Sequence, residues 1–320
     1  MSRRKRAQWG VSALPGVLKA NARECDRFAA IQEQAAEQIG DAARRLRLAR
    51  AYGHEADLCR DETLPLYWVT EQMAQVALDA SHDLPVLSST MAPTKSGFLA
   101  VAGGLPPLPP PSLQGWGTIT GGQITEGISP SALLWETTTS HLRVTIYAHE
   151  SMMPAGQRLA SGPLQELISL SLPRDQAGVW ETTNVGEHDV ADAGQRLHGS
   201  YLAVMAWACA TWHLMMMPTL AQRQTLDPRT GGEPATKGPR PEREVTHIDL
   251  RPLKQVTTDP TESTTPARER THRWVVRGHW VQQPHGPGHS QRRLQWRESY
   301  IKGPAGAPLL RSRPVNVWRR

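Results

Sequence analysis

The sequence predicts an α+β protein: a helical N-terminal region, a mixed α/β middle and a small basic antiparallel β-rich C-terminal module. Three patterns carry this. Apolar residues recur at helical spacing through much of the first eighty positions. In the middle, Leu142, Val144 and Ile146 alternate with His141, Arg143, Thr145 and Tyr147, the period of a strand. Near the C-terminus, RWVVRGHWV at 273–281 alternates Trp274, Val276, Gly278 and Trp280 with Arg273, Val275, Arg277, His279 and Val281. Composition shifts divide the chain into 1–83, helical; 84–226, mixed and ending in a buried apolar helix; 227–270, a flexible linker with one short strand; and 271–320, the basic module.

MSRRKR opens the chain without an apolar segment or a small-residue cleavage site behind it, so it does not read as a secretory signal. Asn21 to Ala51 reads as one helix. Asn21 and Glu24 resemble a capping pair. Phe28, Ile31, Ala35, Ile39, Ala42, Leu46 and Ala49 form its apolar stripe. Arg44, Arg45, Arg47 and Arg50 then suit its C-terminal dipole, with Gly53 as the stop. Leu66 to Ala80 reads as a second helix, antiparallel to the first, with Trp68, Val69, Met73, Val76 and Ala77 inward.

Phe98 to Ala102 is a short strand, followed by extended chain from Pro106 to Pro111, a stiff connector or a docking ligand. LLWETTTS and the alternating 141–147 segment form a strand pair. Leu159 to Leu172 reads as a helix broken at Gly162-Pro163, and Val179 to Thr183 as a strand. SYLAVMAWACATWHLMMM at 200–217 is the most apolar run. It is short for a membrane span, carries His213 and stops at Pro218, so it reads as a core helix and no membrane is expected. Gly/Pro-rich stretches flank the strand VTHIDL (245–250), which is expected to stand alone or extend the terminal sheet. In the terminal module, PHGPGHS is a loop. Leu294 to Ile301 is a strand with Leu294, Trp296 and Tyr300 on one side, stopped by Gly303-Pro304, and Val315 and Val317 suggest a third.

Charge is uneven. Arg268 to Arg320 holds twelve Lys/Arg against two Asp/Glu, a net of +10, in a chain whose total is only +6. A positive field concentrated at one end is the footprint of a polyanion binder, or else a solvated surface around a tryptophan-rich core. Cys25, Cys59 and Cys209 are odd in number and widely spaced, which favours neither a disulfide framework nor zinc and fits a reducing cytoplasm. No phosphate-loop, G-x-S-x-G or H-E-x-x-H pattern occurs, so no cofactor is implied.

WHLMMMPTLAQRQ, HIDLRPLK, HRWVVRGHW, QRRLQW, YIKGPAGAPL and VNVWRR together resemble a group of uncharacterised proteins of high-GC Gram-positive bacteria and their plasmids and phages. The match covers about the last 120 residues, through His272–Trp280 and Tyr300–Pro304, with SGFLAVAGGLP (96–106) as a weaker echo. The resemblance implies a mobile-element or host-interaction context and no particular activity. His247 and QPHGPGHSQRR depart from the group's pattern.

The expected function is a non-enzymatic nucleic-acid-binding accessory protein, with DNA or RNA as the partner. Arg273, Arg277, Arg292, Arg293, Arg297 and Lys302 are the expected phosphate contacts. The aromatic face of the terminal sheet is expected to be packed and its Arg/His face exposed, with Trp280 and Trp296 serving as stacking surfaces where they are exposed. Two alternatives stay open. His279 beside Arg277, Tyr300 and Lys302 suits a nuclease-like hydrolase in which it is the general base; otherwise it bonds a neighbouring strand. Loose linkers and the proline run suit a protein-interaction scaffold with a protein partner. His279, His285 and His289 lack preorganising ligand spacing, so no metal is expected.

Overall fold

The structure, a computed structural model, describes residues 10–38, 42–84, 91–107, 128–153, 162–173, 194–228, 243–251, 273–276, 278–298, 300–302, 304 and 308. Strand β1 (Leu66–Val69) lies inside a seven-stranded sheet. Its parallel neighbours are β2 (Ser96–Val101) and β7 (Val245–Leu250). Beyond β2 the sheet continues antiparallel through β3 (Pro130–Thr137), β4 (His141–His149) and β5 (Leu164–Pro173). Beyond β7 it ends in antiparallel β6 (Ala221–Leu226). The order is therefore β5-β4-β3-β2-β1-β7-β6.

Both faces of this sheet are covered, which is why its central strands are apolar at nearly every position. One face presents Tyr67, Val69, Leu99, Val101, Leu133, Trp135, Val144 and Ile248 to α3 (Glu71–Ser81) and α4 (Gly194–Met215). The other presents Leu66, Trp68, Phe98, Ala100, Leu134 and Tyr147 to α1 (Leu14–Gln38) and α2 (Ala42–Arg60). α4 is the expected core helix: Val204, Trp207, Ala208, Trp212 and Leu214 are buried, and the Trp207 indole donates to the Ala74 carbonyl at 3.1 Å. Among the described residues no helix is long and apolar enough to cross a membrane.

Several elements differ from the sequence expectation. The stripe from Asn21 to Ala51 belongs to two helices, with α1 ending at Gln38 and α2 starting at Ala42. Arg44, Arg45, Arg47 and Arg50 therefore lie in the N-terminal half of α2, where the dipole disfavours them. Most of them face solvent, which screens that cost. Gly53 lies within α2, and Asn21 lies within α1 with its side chain buried. Leu66 to Ala80 divides into a strand and a helix at Thr70. The Thr70 hydroxyl caps α3 by accepting from the Met73 N–H at 3.3 Å, and it donates to Asp249 of β7 at 2.8 Å. Leu164 to Pro173 is a strand, since Ile168, Leu170 and Leu172 alternate with Ser169 and Ser171. VTHIDL joins the main sheet rather than the terminal one. The expected strands at 179–183 and 315–317, and most of the proline run, lie outside the described residues.

The C-terminal strands form two short antiparallel pairs. β8 (Trp274–Val276) pairs with β11 (Tyr300–Lys302), and β9 (His279–His285) with β10 (Gln291–Arg297). The expected continuous strands are thus interrupted between Val276 and His279 and between Arg297 and Tyr300. Gly278 marks the first break: a Cβ there would stand 2.4 Å from Cζ2 of Trp296.

Candidate functional site

The β9–β10 ribbon has one inward and one outward face, fixed by its register. Trp280 is the cross-strand partner of Trp296, and their rings meet edge to face at 5.2 Å. Trp296 is buried and belongs to the core beneath α3 and α4. Trp280 packs against the same core, its indole N–H donating to Ala80 of α3 at 2.8 Å. Its ring also meets His213 of α4 edge to face at 5.3 Å, and His213 Nε2 donates to the Leu294 carbonyl at 2.9 Å. This face is a docking surface for the ribbon. Trp296 is thus taken up by packing, whereas Trp280 is only partly buried and keeps some of its surface exposed. Trp296→Ala is expected to lower stability by about 3–5 kcal/mol in urea unfolding, the cost of truncating a buried tryptophan.

The opposite face follows from the same register. Its rows are Arg297 with His279, Gln295 with Val281, Arg293 with Gln283 and Gln291 with His285. Arg293, Arg297 and Gln291 are exposed, and His279, Val281, Gln283, His285 and Gln295 are partly so. Arg297 donates to the Gln283 side chain at 3.4 Å. Arg292 lies on the tryptophan side of β10, opposite Pro284 near the turn, and is exposed because the core does not reach that far; it donates to the His289 carbonyl at 3.1 Å. Lys302 is exposed on β11. Arg273 is half-buried, its backbone N–H donating to Pro308 at 2.9 Å. Arg277 lies outside the described residues. The structure thus gathers Arg293, Arg297 and His279 on one face, puts Arg292 at the ribbon's tip, carries Lys302 on the other strand pair and sets Arg273 just before β8.

A second constellation, missed from sequence, lies between α1, α2 and β4. Glu55 is buried beside Tyr147, whose hydroxyl donates to its Oε1. The same oxygen accepts from Asn21 Nδ2 at 3.3 Å and from the Cys25 thiol at 3.3 Å. Oε2 accepts from the Thr145 hydroxyl at 3.4 Å. Asn21 Nδ2 also approaches Tyr147 Oη at 3.4 Å and Cys59 Sγ at 3.5 Å. The β4–β5 register sets Glu166 opposite Tyr147, hence close to Glu55. Burial, then the charge of Glu55, pushes Glu166 up to about 8, with Arg143 pulling the other way. Burial and Glu55 also raise the Cys25 thiol and the Tyr147 hydroxyl, and burial raises Cys59 to about 12. Such thiols are poor nucleophiles, because the thiolate is the reactive species. The adjoining recess, lined by Glu55, Glu136, Arg143 and Thr145, has about 210 Å³ including its open mouth. Small-ligand pockets run to about 300–1,000 Å³. This cluster therefore reads as a polar clasp holding the helical pair to the sheet, with each donor satisfied by one carboxylate.

Among the described residues no group of His, Cys, Asp or Glu is arranged to hold a metal ion. No family profile and no curated protein matches the chain.

Proposed function

We propose that the protein binds nucleic acid through the outward face and tip of the β9–β10 ribbon, as a non-enzymatic accessory protein acting in the cytoplasm, in the setting of a mobile element or its host. One observation carries this reading. Exposed Arg292, Arg293 and Arg297 sit on a ribbon whose tryptophans are turned into the core, and no Asp or Glu occurs from Thr271 to Arg297. Affinity then comes chiefly from phosphate contacts. Such binding releases counterions, so the affinity falls with salt.

Fluorescence anisotropy with labelled DNA and RNA across a salt series tests this. Binding at low ionic strength is expected, weakening linearly on a log–log plot. Each of Arg292→Ala, Arg297→Ala and Lys302→Ala is expected to reduce the magnitude of the slope by about 0.9, and Arg293→Ala to weaken binding. No binding at low salt, or a quadruple variant that binds like the parent, would overturn the reading. Cleavage of the probe that disappears in His279→Ala would replace it with hydrolysis.

A further inference from the structure

We infer that the β9–β10 ribbon recognises duplex DNA, entering the major groove and reading base edges with Arg293, Gln283 and Gln295 while Arg297 at its base meets phosphate. This rests on the nucleic-acid reading above and goes further in naming the duplex, the groove and the reading side chains.

The composition of the outward face is the first argument. A surface that only gripped phosphate needs Lys and Arg. Here two arginines are interleaved with Gln283, Gln291 and Gln295 across four consecutive cross-strand rows. Arg pairs bidentately with guanine O6 and N7, and Gln with adenine N6 and N7, edges that only the major groove presents. Val281, in the row between the two arginines, offers an apolar surface of the kind that meets a thymine methyl.

Shape is the second argument. Two paired strands lie about 4.8 Å apart. A groove about 12 Å wide admits such a ribbon, whereas the major groove of duplex RNA is deep and too narrow. Beyond Leu294, whose carbonyl is held by His213, three residues of each strand run to the turn. At about 3.4 Å per residue they extend about 10 Å, enough to reach into a groove about 8.5 Å deep. The tip stays slim because Gly286 and Gly288 take φ of 76° and 58°, a conformation that favours glycine. Pro287–His289 closes it in a single tight turn. Arg292, beside that turn on the other face, is placed to meet backbone phosphate.

The test compares one duplex DNA selected from a random pool, its scrambled counterpart, the duplex RNA of the selected sequence and its single DNA strand, all across the same salt series. The selected DNA duplex is expected to bind at least about tenfold tighter than the duplex RNA or the single strand. Gln283→Ala with Gln295→Ala leaves Trp280 and Trp296 intact, so circular dichroism and unfolding should match the parent. That variant is expected to keep the salt slope while losing about tenfold or more of its preference for selected over scrambled DNA. Methylation of guanine N7 in the selected site should weaken binding by the parent. Equal affinity for RNA and DNA duplexes, or full discrimination by the glutamine variant, overturns the groove reading and leaves the nucleic-acid reading standing. Binding to none of the four probes overturns both.

Discussion

Gly97→Ala is expected to cost about 3 kcal/mol of folding stability, the upper end of what overpacking a core costs. A Cβ at Gly97 would stand 2.5 Å from Cη2 and Cζ2 of Trp135, its cross-strand partner. Carbon atoms rest at about 3.5–4.0 Å, so one of the two groups must move by about an ångström. Trp135 has nowhere to go. It is fully buried, its indole N–H donates to the Thr94 carbonyl at 3.1 Å, and its ring is stacked on Tyr67 and tilted against Trp212. The strand cannot yield either, because β2 is bonded on one side to β1 and on the other to β3. Urea unfolding of Gly97→Ala, Trp135→Leu and the double variant measures the coupling. The double variant should be more stable than the sum of the single losses by about 1–2 kcal/mol, since the smaller side chain makes room for the new methyl. Strict additivity would mean that the contact contributes nothing.

This pairing also shows what the sequence could and could not disclose. The strands 130–137 and 141–149 were legible because their alternation is regular and one tight turn joins them. Leu66–Val69 was not. Four apolar residues running into the apolar face of α3 look like one helix, and only Thr70, a helix-capping residue, marks the joint. Val245–Leu250 was legible as a strand but not by position. Its partner is β1, about 180 residues earlier, and pairing over that separation leaves no local trace. The same holds for the site. Alternation correctly set Trp280 with Trp296 and Arg297 with His279 on opposite faces of the ribbon. It also marked the aromatic face as the packed one; what it could not supply was the cover, which comes from Ala80 and His213 on two distant helices. Glu55 lay beyond reach for a similar reason. Its partners Asn21, Cys25, Thr145 and Tyr147 come from separate elements, and a glutamate within a polar-looking helix carries no mark of burial.

Glu55→Ala is expected to destabilise the protein by about 3 kcal/mol and to change how its stability responds to pH. The first effect follows from the donors left behind. Tyr147, Asn21, Cys25 and Thr145 all give hydrogen bonds to this carboxylate, and a buried donor without an acceptor costs about 1–3 kcal/mol. The cavity lets water rescue some of them, which keeps the sum well below four such terms. The second effect runs through Glu166. In the folded protein burial and Glu55 hold its carboxyl at about 8, against 4.5 for an unhindered glutamate. Between those values the native state keeps a proton that the unfolded chain has released, so stability must fall as pH rises from 4.5 to 8. Below that window the contribution is fully present; above it, it is gone. A proton retained across one pH step is worth at most about 1.4 kcal/mol, but Glu166 is only partly buried and solvent screens it, so a loss of about 2 kcal/mol between the two ends is expected. Glu166→Gln keeps the shape and cannot ionise, so urea midpoints measured from pH 5 to pH 8.5 should lose that slope. Glu55→Ala should reduce the slope in a different way, by removing the neighbouring charge and letting Glu166 ionise nearer its ordinary range. A parent protein equally stable at both ends of the window, or a Glu166→Gln variant that keeps the full slope, would show that Glu166 does not hold its proton across that window.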